Sequence, residues 1–189
     1  MPESDRQKWD AKYRCADDVP VEPSAVLTSL SHLIPSAGAA LDIAGGGGRH
    51  AIWLAQRGLD VTIADISAVG LELAAGRAEV ADVRISTMQT DLEASSFPPG
   101  PWKMIFSHHF LWRPLFRQYP EVLEDEGVLV VIQPTLTNLK RHEKPPAQFL
   151  LDDGELPALV GDLDVIHYEE GWLAAGRHEA VVVARRSRP

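Results

Sequence analysis

Four consecutive glycines, Gly45 to Gly48, directly follow a short apolar run that is typical of a buried strand. The segment from Gly46 to Ala51 matches the G-x-G-x-x-A fingerprint of nucleotide-binding turns. Glycine lets a backbone approach a ligand closely because it carries no Cβ. Asp65 ends the next apolar run, where a carboxylate can accept hydrogen bonds from both hydroxyls of a ribose. These residues predict a site for a nucleoside-bearing ligand.

Asp42 stands just ahead of the glycines and restricts which ligand fits. A dinucleotide would place its pyrophosphate at the start of the following helix, and a nearby carboxylate would repel it. S-adenosyl-L-methionine has no phosphate, and its sulfonium and ammonium groups are both positive, so the same carboxylate attracts it. Asp42 can also cap the backbone of the turn, and the two roles are compatible. The charge therefore favours S-adenosyl-L-methionine over a nicotinamide dinucleotide.

Further residues of the sequence could take part in chemistry. Asp91 ends the third apolar run and could accept a hydrogen bond from an adenine amino group, although Asp is common in turns. His108 and His109 end the fourth run. Either is a candidate general base for an oxygen or nitrogen acceptor, the alternative being that one packs and the other is solvated. A thiolate or a reduced chalcogen needs no base. The seven histidines lack H-x-x-x-H spacing and the single Cys15 has no partner cysteine, so we expect no metal site.

The elements that must position these residues alternate as in an α/β protein. We expect strands at 39–44, 61–65, 83–88, 103–108 and 128–133, and helices at 49–57, 69–78 and 115–123. Two more strands, at 163–169 and 179–184, should pair as an antiparallel hairpin. The expected fold class is α/β, a Rossmann-like, doubly wound, mostly parallel seven-stranded sheet with an antiparallel C-terminal hairpin.

The length suits one domain over residues 1–189. We expect an N-terminal helical lid segment at 1–35, a cofactor-binding core at 36–133, and a substrate loop with the hairpin at 134–189. Trp9 and Tyr13 share one helix face, which either packs on the sheet or covers a ligand pocket. The loop at 134–151 carries cationic side chains that could attract an anionic substrate. The alternative is that this loop only links the elements on either side of it.

Composition limits the partners and the compartment. The net charge of −9 is unfavourable for binding a nucleic acid, since a phosphate backbone requires clustered cations. The single cysteine forms no internal disulfide, which favours a reducing, cytoplasmic location. No apolar run is long enough to predict a membrane span. The expected partner is a small-molecule substrate, and the expected assembly is a monomer or a homodimer.

The segment 41–51, together with Asp65-Ile66-Ser67 and Asp91-Leu92, resembles the motifs of class I S-adenosylmethionine-dependent methyltransferases. The resemblance covers nearly the whole chain. A more specific resemblance is to the tellurite-resistance and thiopurine-methyltransferase-like branch. It is carried by the W-x-x-x-Y spacing of Trp9 and Tyr13, by Gly-Arg-His-Ala at 48–51, and by 110–115 and 167–171.

The resemblance implies roles for single residues. Asp42, Gly46 and Gly48 would line the methionine end of the cofactor, and Asp65 would hold the ribose. The base would be contacted by Ile66, Asp91 and Leu92. Arg49 and His50 either touch the cofactor carboxylate or cap structure. The expected cofactor-binding residues are Trp9, Tyr13, Asp42, Ala44, Gly45, Gly46, Gly48, Arg49, His50, Asp65, Ile66, Asp91, Leu92 and His108.

On the substrate side, the resemblance places His108 opposite the transferred methyl and matches Arg177 to a substrate-side arginine. The expected catalytic residues are His108, His109 and Arg177. The chain departs from the branch at Ala44, which replaces the usual first glycine, and at Lys103 and Gln133-Pro134, which replace acidic positions.

Together, these features predict an enzyme that transfers a methyl group to a small-molecule acceptor, with a thiol or chalcogen compound as one candidate. The alternatives are a methyltransferase-like protein that binds the cofactor without catalysis, and an NAD-dependent oxidoreductase.

Overall fold

The computed structural model describes residues 2–15 and 19–188. The chain forms two compact units, one made of residues 1–24 and 35–98 and the other of residues 25–34 and 99–189. The expectation of a single domain over residues 1–189 stays a prediction.

The first unit carries the glycine turn on three parallel strands, β1 (Gly38–Ile43), β2 (Leu59–Asp65) and β3 (Ile85–Gln89). Its helices are α1 (Pro2–Arg14), α3 (Arg49–Gln56) and α4 (Ala68–Val80). The apolar side chains of β1 and β2 are buried except that of Ala39, and this burial fixes the register of both strands. Because β1 and β2 run parallel, their carboxyl ends meet at one edge, and this brings Asp42 and Asp65 together.

The second unit contains the other four strands. β4 (Trp102–His108) pairs in parallel with β5 (Leu123–Pro134), and β7 (His178–Arg185) pairs antiparallel with both β5 and β6 (Asp164–Trp172). The short helices α2 (Ala25–Ser29), α5 (Tyr119–Val122) and α6 (Leu156–Leu159) complete it, together with 3-10 helices at Ser31–Leu33, Arg113–Arg117, Leu136–Lys140 and Ala147–Phe149.

The strand order is β3-β2-β1-β4-β5-β7-β6. The pairings described above are parallel except those of the C-terminal hairpin, which are antiparallel. The expected fold class is confirmed: an α/β, Rossmann-like, mostly parallel seven-stranded sheet with an antiparallel hairpin.

The expected helix at 115–123 is wrong as a single element. A 3-10 helix at Arg113–Arg117 is followed by the four-residue α5, and β5 begins at Leu123. Pro120 explains the break, because its nitrogen cannot donate to the carbonyl four residues earlier and its ring disfavours a helix interior. The proline stands instead in the first turn of α5, where no donor is needed.

The segment at 134–151 is more ordered than a simple loop. It contains the 3-10 helices Leu136–Lys140 and Ala147–Phe149, and its ends meet in a bridge between Thr135 and Leu151. Arg141 lies over the ring of Trp172 on β6 at 3.8 Å. Its role as a substrate loop stays a prediction.

Within the described ranges, no helix has both the length and the apolar character needed to span a bilayer.

Candidate functional site

A tight glycine turn links β1 to α3. Gly46 and Gly48 have φ values of +52° and +79°, which lie in the left-handed region that favours glycine. Gly48 is also the N-cap of α3. Ala44 has a φ of 52° without being glycine, and its N–H donates to the Ala64 carbonyl at 2.8 Å. The departure from glycine at this position therefore places an alanine in a strained conformation.

Asp42 is buried against the turn with only 1% of its surface exposed. A Cβ on Gly45 would lie 2.6 Å from its Oδ2, so only glycine fits there. The carboxylate accepts a hydrogen bond from the Ala51 backbone, whereas Oδ2 has no partner among the described residues. Burial, followed by repulsion from Asp65, raises the pKa of Asp42 to about 8. A positive group beside Oδ2 would favour the charged form.

Asp65 ties the glycine turn to the loop after β2. Its Oδ2 accepts from the Gly46 N–H at 2.9 Å and its Oδ1 from the Ser67 N–H at 2.8 Å. Burial raises the pKa of Asp65, while the backbone N–H groups of Ser67, Gly46 and Ile66 oppose that effect. Asp65 therefore has a structural role in the turn beside its expected role at a ribose.

Tyr13 of α1 covers the turn. A Cβ on Gly46 would lie 1.9 Å from the Tyr13 hydroxyl, and one on Gly70 would lie 2.8 Å from its ring. Trp9 stacks on Tyr13 with 6.0 Å between ring centroids. Burial, with Asp65 and Asp42 nearby, raises the pKa of Tyr13. The shared face of Trp9 and Tyr13 thus lies toward the glycine turn and α4.

Two polar connections hold this arrangement. The Ser67 hydroxyl donates to Asp10 Oδ1 at 2.6 Å and accepts from the Gly70 N–H at 3.0 Å, so it caps α4 and anchors α1 at once. Arg77 of α4 donates to the Gly47 carbonyl at 3.2 Å and to the Val19 carbonyl at 2.8 Å. The turn is therefore fixed by side chains that come from α1 and α4.

The other expected cofactor-binding residues also lie in the first unit, except His108, which belongs to the second. Asp91 Oδ1 accepts from the Glu93 N–H at 3.0 Å, which is a turn-capping contact. Leu92 and His50 are buried, and Ile66 is half-buried. The Arg49 guanidinium donates to the Glu22 carbonyl at 3.3 Å. Their expected contacts with a ligand stay predictions.

The expected catalytic residues belong to the second unit. His108 ends β4, and its ring stacks on that of His109 with 3.8 Å between centroids. His109 Nε2 lies 2.6 Å from Oε1 of Glu179, which is 2% exposed. Arg177 lies in the turn between β6 and β7, where its carbonyl accepts from the Leu173 N–H. The structure thus gives His109 an acidic partner that the sequence did not reveal.

One group of described side chains has the composition of a metal site. Asp153, Glu170 and His178 each offer a ligand atom, and these atoms lie within 4.8 Å of one another. Each side chain is already hydrogen-bonded to a protein hydroxyl at 2.6–2.8 Å, from Thr137, Tyr168 and Thr135 respectively. These bonds account for the group without an ion, and the expected absence of a metal site stays a prediction.

A family model matches part of this chain. Residues 40–127, which include the glycine turn and the β2 acid, match a family model described as a methyltransferase domain. No curated protein matches the chain. The match and the fold confirm the resemblance to class I methyltransferases.

Several solved structures share this fold. TehB from Haemophilus influenzae superposes with a TM-score of 0.72 at 22% identity, covering 87% of this chain. This chain spans only 63% of the length of TehB. An S-adenosylmethionine-dependent methyltransferase from Mesorhizobium loti gives 0.71 at 18% identity over 88% of this chain and 100% of that one.

A third structure bears on the cofactor. N-methyltransferase NodS from Bradyrhizobium japonicum, in complex with S-adenosyl-L-homocysteine, gives a TM-score of 0.75 at 14% identity over 97% of this chain and 98% of that one. A protein of this fold thus binds the demethylated form of the expected cofactor.

Sequence reasoning missed several residues of these sites. Ser67 had a local signal, because serine before a helix is a common N-cap. Asp10, Arg77 and Glu179 had none, since each acts on a partner that is distant in the sequence.

Proposed function

We propose that this chain binds S-adenosyl-L-methionine and transfers its methyl group to a small-molecule acceptor, for which a thiol or a reduced chalcogen compound is the leading candidate. The buried carboxylate of Asp42, with Oδ2 lacking a partner among the described residues, carries the proposal. A buried unpaired carboxylate is costly, and a cationic ligand group offsets that cost.

The charge of Asp42 also separates this proposal from an NAD-dependent oxidoreductase. A pyrophosphate at the N-terminus of α3 would face the acids Asp42 and Asp65, both of which burial already disfavours in the charged form. The positive sulfonium and ammonium groups of S-adenosyl-L-methionine would instead be attracted by these two acids. The residues present therefore suit the sulfonium cofactor.

The proposed cofactor site lies at the edge of the first unit. Asp42 and the glycines would hold the methionine end, and Asp65 the ribose. Ile66, Asp91 and Leu92 would hold the base. Trp9, Tyr13, Arg49 and His50 would border the site, and Ala44 would start the turn. His108 is proposed to face the transferred methyl, with His109 and Arg177 on the substrate side.

The bound cofactor supplies an electrophilic methyl group on a sulfonium, and after the transfer the cofactor leaves as a neutral thioether. The chain has then to orient the acceptor and exclude water. An acceptor that is already a thiolate needs nothing more. An acceptor that keeps its proton needs a base, and the two adjacent histidines after β4 are the candidates.

Isothermal calorimetry tests the cofactor. We expect S-adenosyl-L-methionine and S-adenosyl-L-homocysteine to bind and NAD not to bind. Asp42→Asn should weaken binding of S-adenosyl-L-methionine by about 1.5–3 kcal/mol, or roughly 10- to 150-fold, since it removes a charge-assisted contact. Asp60→Asn, an exposed position on β2, is the matched control and should change nothing. Binding of NAD alone would overturn the proposal.

Turnover needs a separate assay, because a cofactor-binding protein without catalysis is the alternative. Formation of S-adenosyl-L-homocysteine is followed over a panel of aliphatic and aromatic thiols, selenite, tellurite and small amines. Methylation of a thiol or chalcogen compound supports the proposed acceptor, and turnover of amines alone contradicts it. Binding with no turnover of any compound would favour the catalytically silent alternative.

A further inference from the structure

A short contact joins the residue that follows β4 to a buried acid on β7. Nε2 of His109 lies 2.6 Å from Oε1 of Glu179. The Glu179 residue is 2% exposed, whereas 31% of the His109 side-chain surface is exposed. The pair therefore has a buried acidic end and an end that a small molecule can reach.

The contact with Glu179 determines which ring nitrogen of the neutral His109 imidazole carries the proton. An ionised carboxylate only accepts hydrogen bonds, so Nε2 of His109 has to carry the proton that is shared with Glu179. Nδ1 of the neutral ring then carries a lone pair and can accept a proton. A histidine held in this way by a buried carboxylate is the arrangement that general-base catalysis uses.

The backbone at His109 is specialised to make this contact. Its φ of +59° lies in the left-handed region, which is strained for a residue with a side chain and recurs at functional positions. The conformation is held by the His109 N–H, which donates to the Ile132 carbonyl of β5 at 2.9 Å. The β5–β7 register, with Pro134 opposite Glu179, then brings the acid alongside.

We infer that Glu179 is a positioning residue that orients His109 as the general base of this protein, and that the acceptor is a compound that still holds its proton at neutral pH. This inference rests on the proposed methyl transfer and narrows its substrate to an aliphatic thiol or a hydroxyl compound. An acceptor that is already anionic would make the pair unnecessary.

The step balances without any further reactant. The acceptor's S–H or O–H bond breaks, and its proton passes to Nδ1 of His109. The new bond from the acceptor atom to the methyl carbon forms as the methyl–sulfur bond of the sulfonium breaks, with its electron pair remaining on sulfur. The imidazolium that results keeps its Nε2–H bonded to Glu179, whose negative charge stabilises it.

In the part of the chain that the structure describes, two titratable side chains contact the His109 ring. Glu179 approaches from β7, and the ring of His108 stacks on it from β4. Any pH-dependence of the reaction therefore reflects these three groups together.

Nitrogen NMR of histidine-labelled protein tests the orientation without a substrate. We expect His109 at pH 8.5 to be the Nε2–H tautomer, assigned by comparison with His109→Gln. An Nδ1–H tautomer would overturn the inference whatever the activity.

A kinetic comparison tests the role of the base. We expect His109→Gln to lower kcat for an aliphatic thiol at least about 100-fold, as for loss of a general base, with little change in KM. Glu179→Gln should lower it about 10-fold or more. For an aromatic thiol that is ionised at the assay pH, both variants should stay within about 3-fold of the wild type. Equal losses for the two thiols would indicate a purely structural role and overturn the inference.

Two further variants complete the design. Glu179→Gln made in the His109→Gln background should cause no additional loss, because Glu179 acts through His109; an additive loss contradicts this. Glu124→Gln removes a carboxylate paired with Lys103 at 3.0 Å in the same unit and is the matched control. If neither thiol is methylated, the proposed thiol acceptor fails, while the tautomer still decides the present inference.

Discussion

Asp42→Asn should make this protein more stable at neutral pH while weakening its cofactor binding. The pKa of Asp42 moves from 3.8 to about 8 on folding, because burial and Asp65 disfavour its charge. Between these values the folded state holds a proton that the unfolded state has released. Stability therefore falls as pH rises through this window, by at most about 1.4 kcal/mol per pH unit. Asparagine has nearly the same shape, can still accept from the Ala51 N–H, and does not titrate.

The magnitude follows from two pH values inside the window. From pH 5 to pH 7, the Asp42 contribution to the free energy of unfolding falls by about 1–3 kcal/mol, the upper figure applying if the carboxyl titrates independently of Asp65. Urea unfolding of the wild type and Asp42→Asn at both values measures it as a change in their difference. Asp60→Asn, at the exposed position on β2, is measured at both pH values as the control. A change below about 0.5 kcal/mol would refute the assignment of Asp42 as a protonated buried acid.

Ligand binding gives the second half of this prediction. A cation beside Asp42 requires the ionised carboxylate, so binding at pH 7 should release close to one proton per cofactor. Calorimetry in two buffers of different ionisation enthalpy measures that number. Asp42→Asn should release none, and equal proton release by both proteins would show that the cofactor does not pair with Asp42.

Three further predictions concern the glycine turn and its supports, each measured by urea unfolding. Gly48→Ala should lower the free energy of unfolding by at least about 1–2 kcal/mol, because φ is +79° and the new Cβ would lie 2.7 Å from that of Ala74. Gly76→Ala in α4, where a new Cβ would meet nothing within 4 Å, should instead raise it by about 0.5–1 kcal/mol. Equal effects of the two substitutions would contradict the argument. Ser67→Ala should lower the free energy of unfolding by about 0.5–2 kcal/mol, because it removes the N-cap of α4. An unchanged free energy of unfolding would contradict this capping role. Ala44→Gly should raise the free energy of unfolding by up to about 1 kcal/mol, because glycine adopts the positive φ without strain. A lower free energy of unfolding would show that the turn is not strained at this position.

The sequence predicted those parts of the structure that local patterns encode. Alternating apolar runs and helical segments were enough for the α/β class and for most strands, since burial sets both. The glycine turn and the acids Asp42 and Asp65 followed from their places at the ends of β1 and β2. The helix predicted at 115–123 is wrong because Pro120, which has no backbone donor, interrupts the apolar pattern of that segment.

Long-range pairing explains what could not be predicted. The contact of Tyr13 with Gly46 depends on how α1 packs, and the spacing of Trp9 and Tyr13 fits a lid and a packed helix equally well. The contact of His109 with Glu179 depends on a strand register that no local signal gives. The sequence therefore located the elements, whereas the partners of single side chains required the structure.

The stacked pair of Trp9 and Tyr13 gives the protein an optical reporter of its own. The indole of Trp9 is 6.0 Å from the Tyr13 ring, and the Lys12 ammonium lies 4.4 Å from the indole centroid. Tyrosine passes excitation to tryptophan at such a separation, and a nearby cation shifts the colour of indole emission. A chain that keeps Trp9 and has its four other tryptophans replaced by phenylalanine would therefore report, in its fluorescence, each displacement of α1 from the glycine turn.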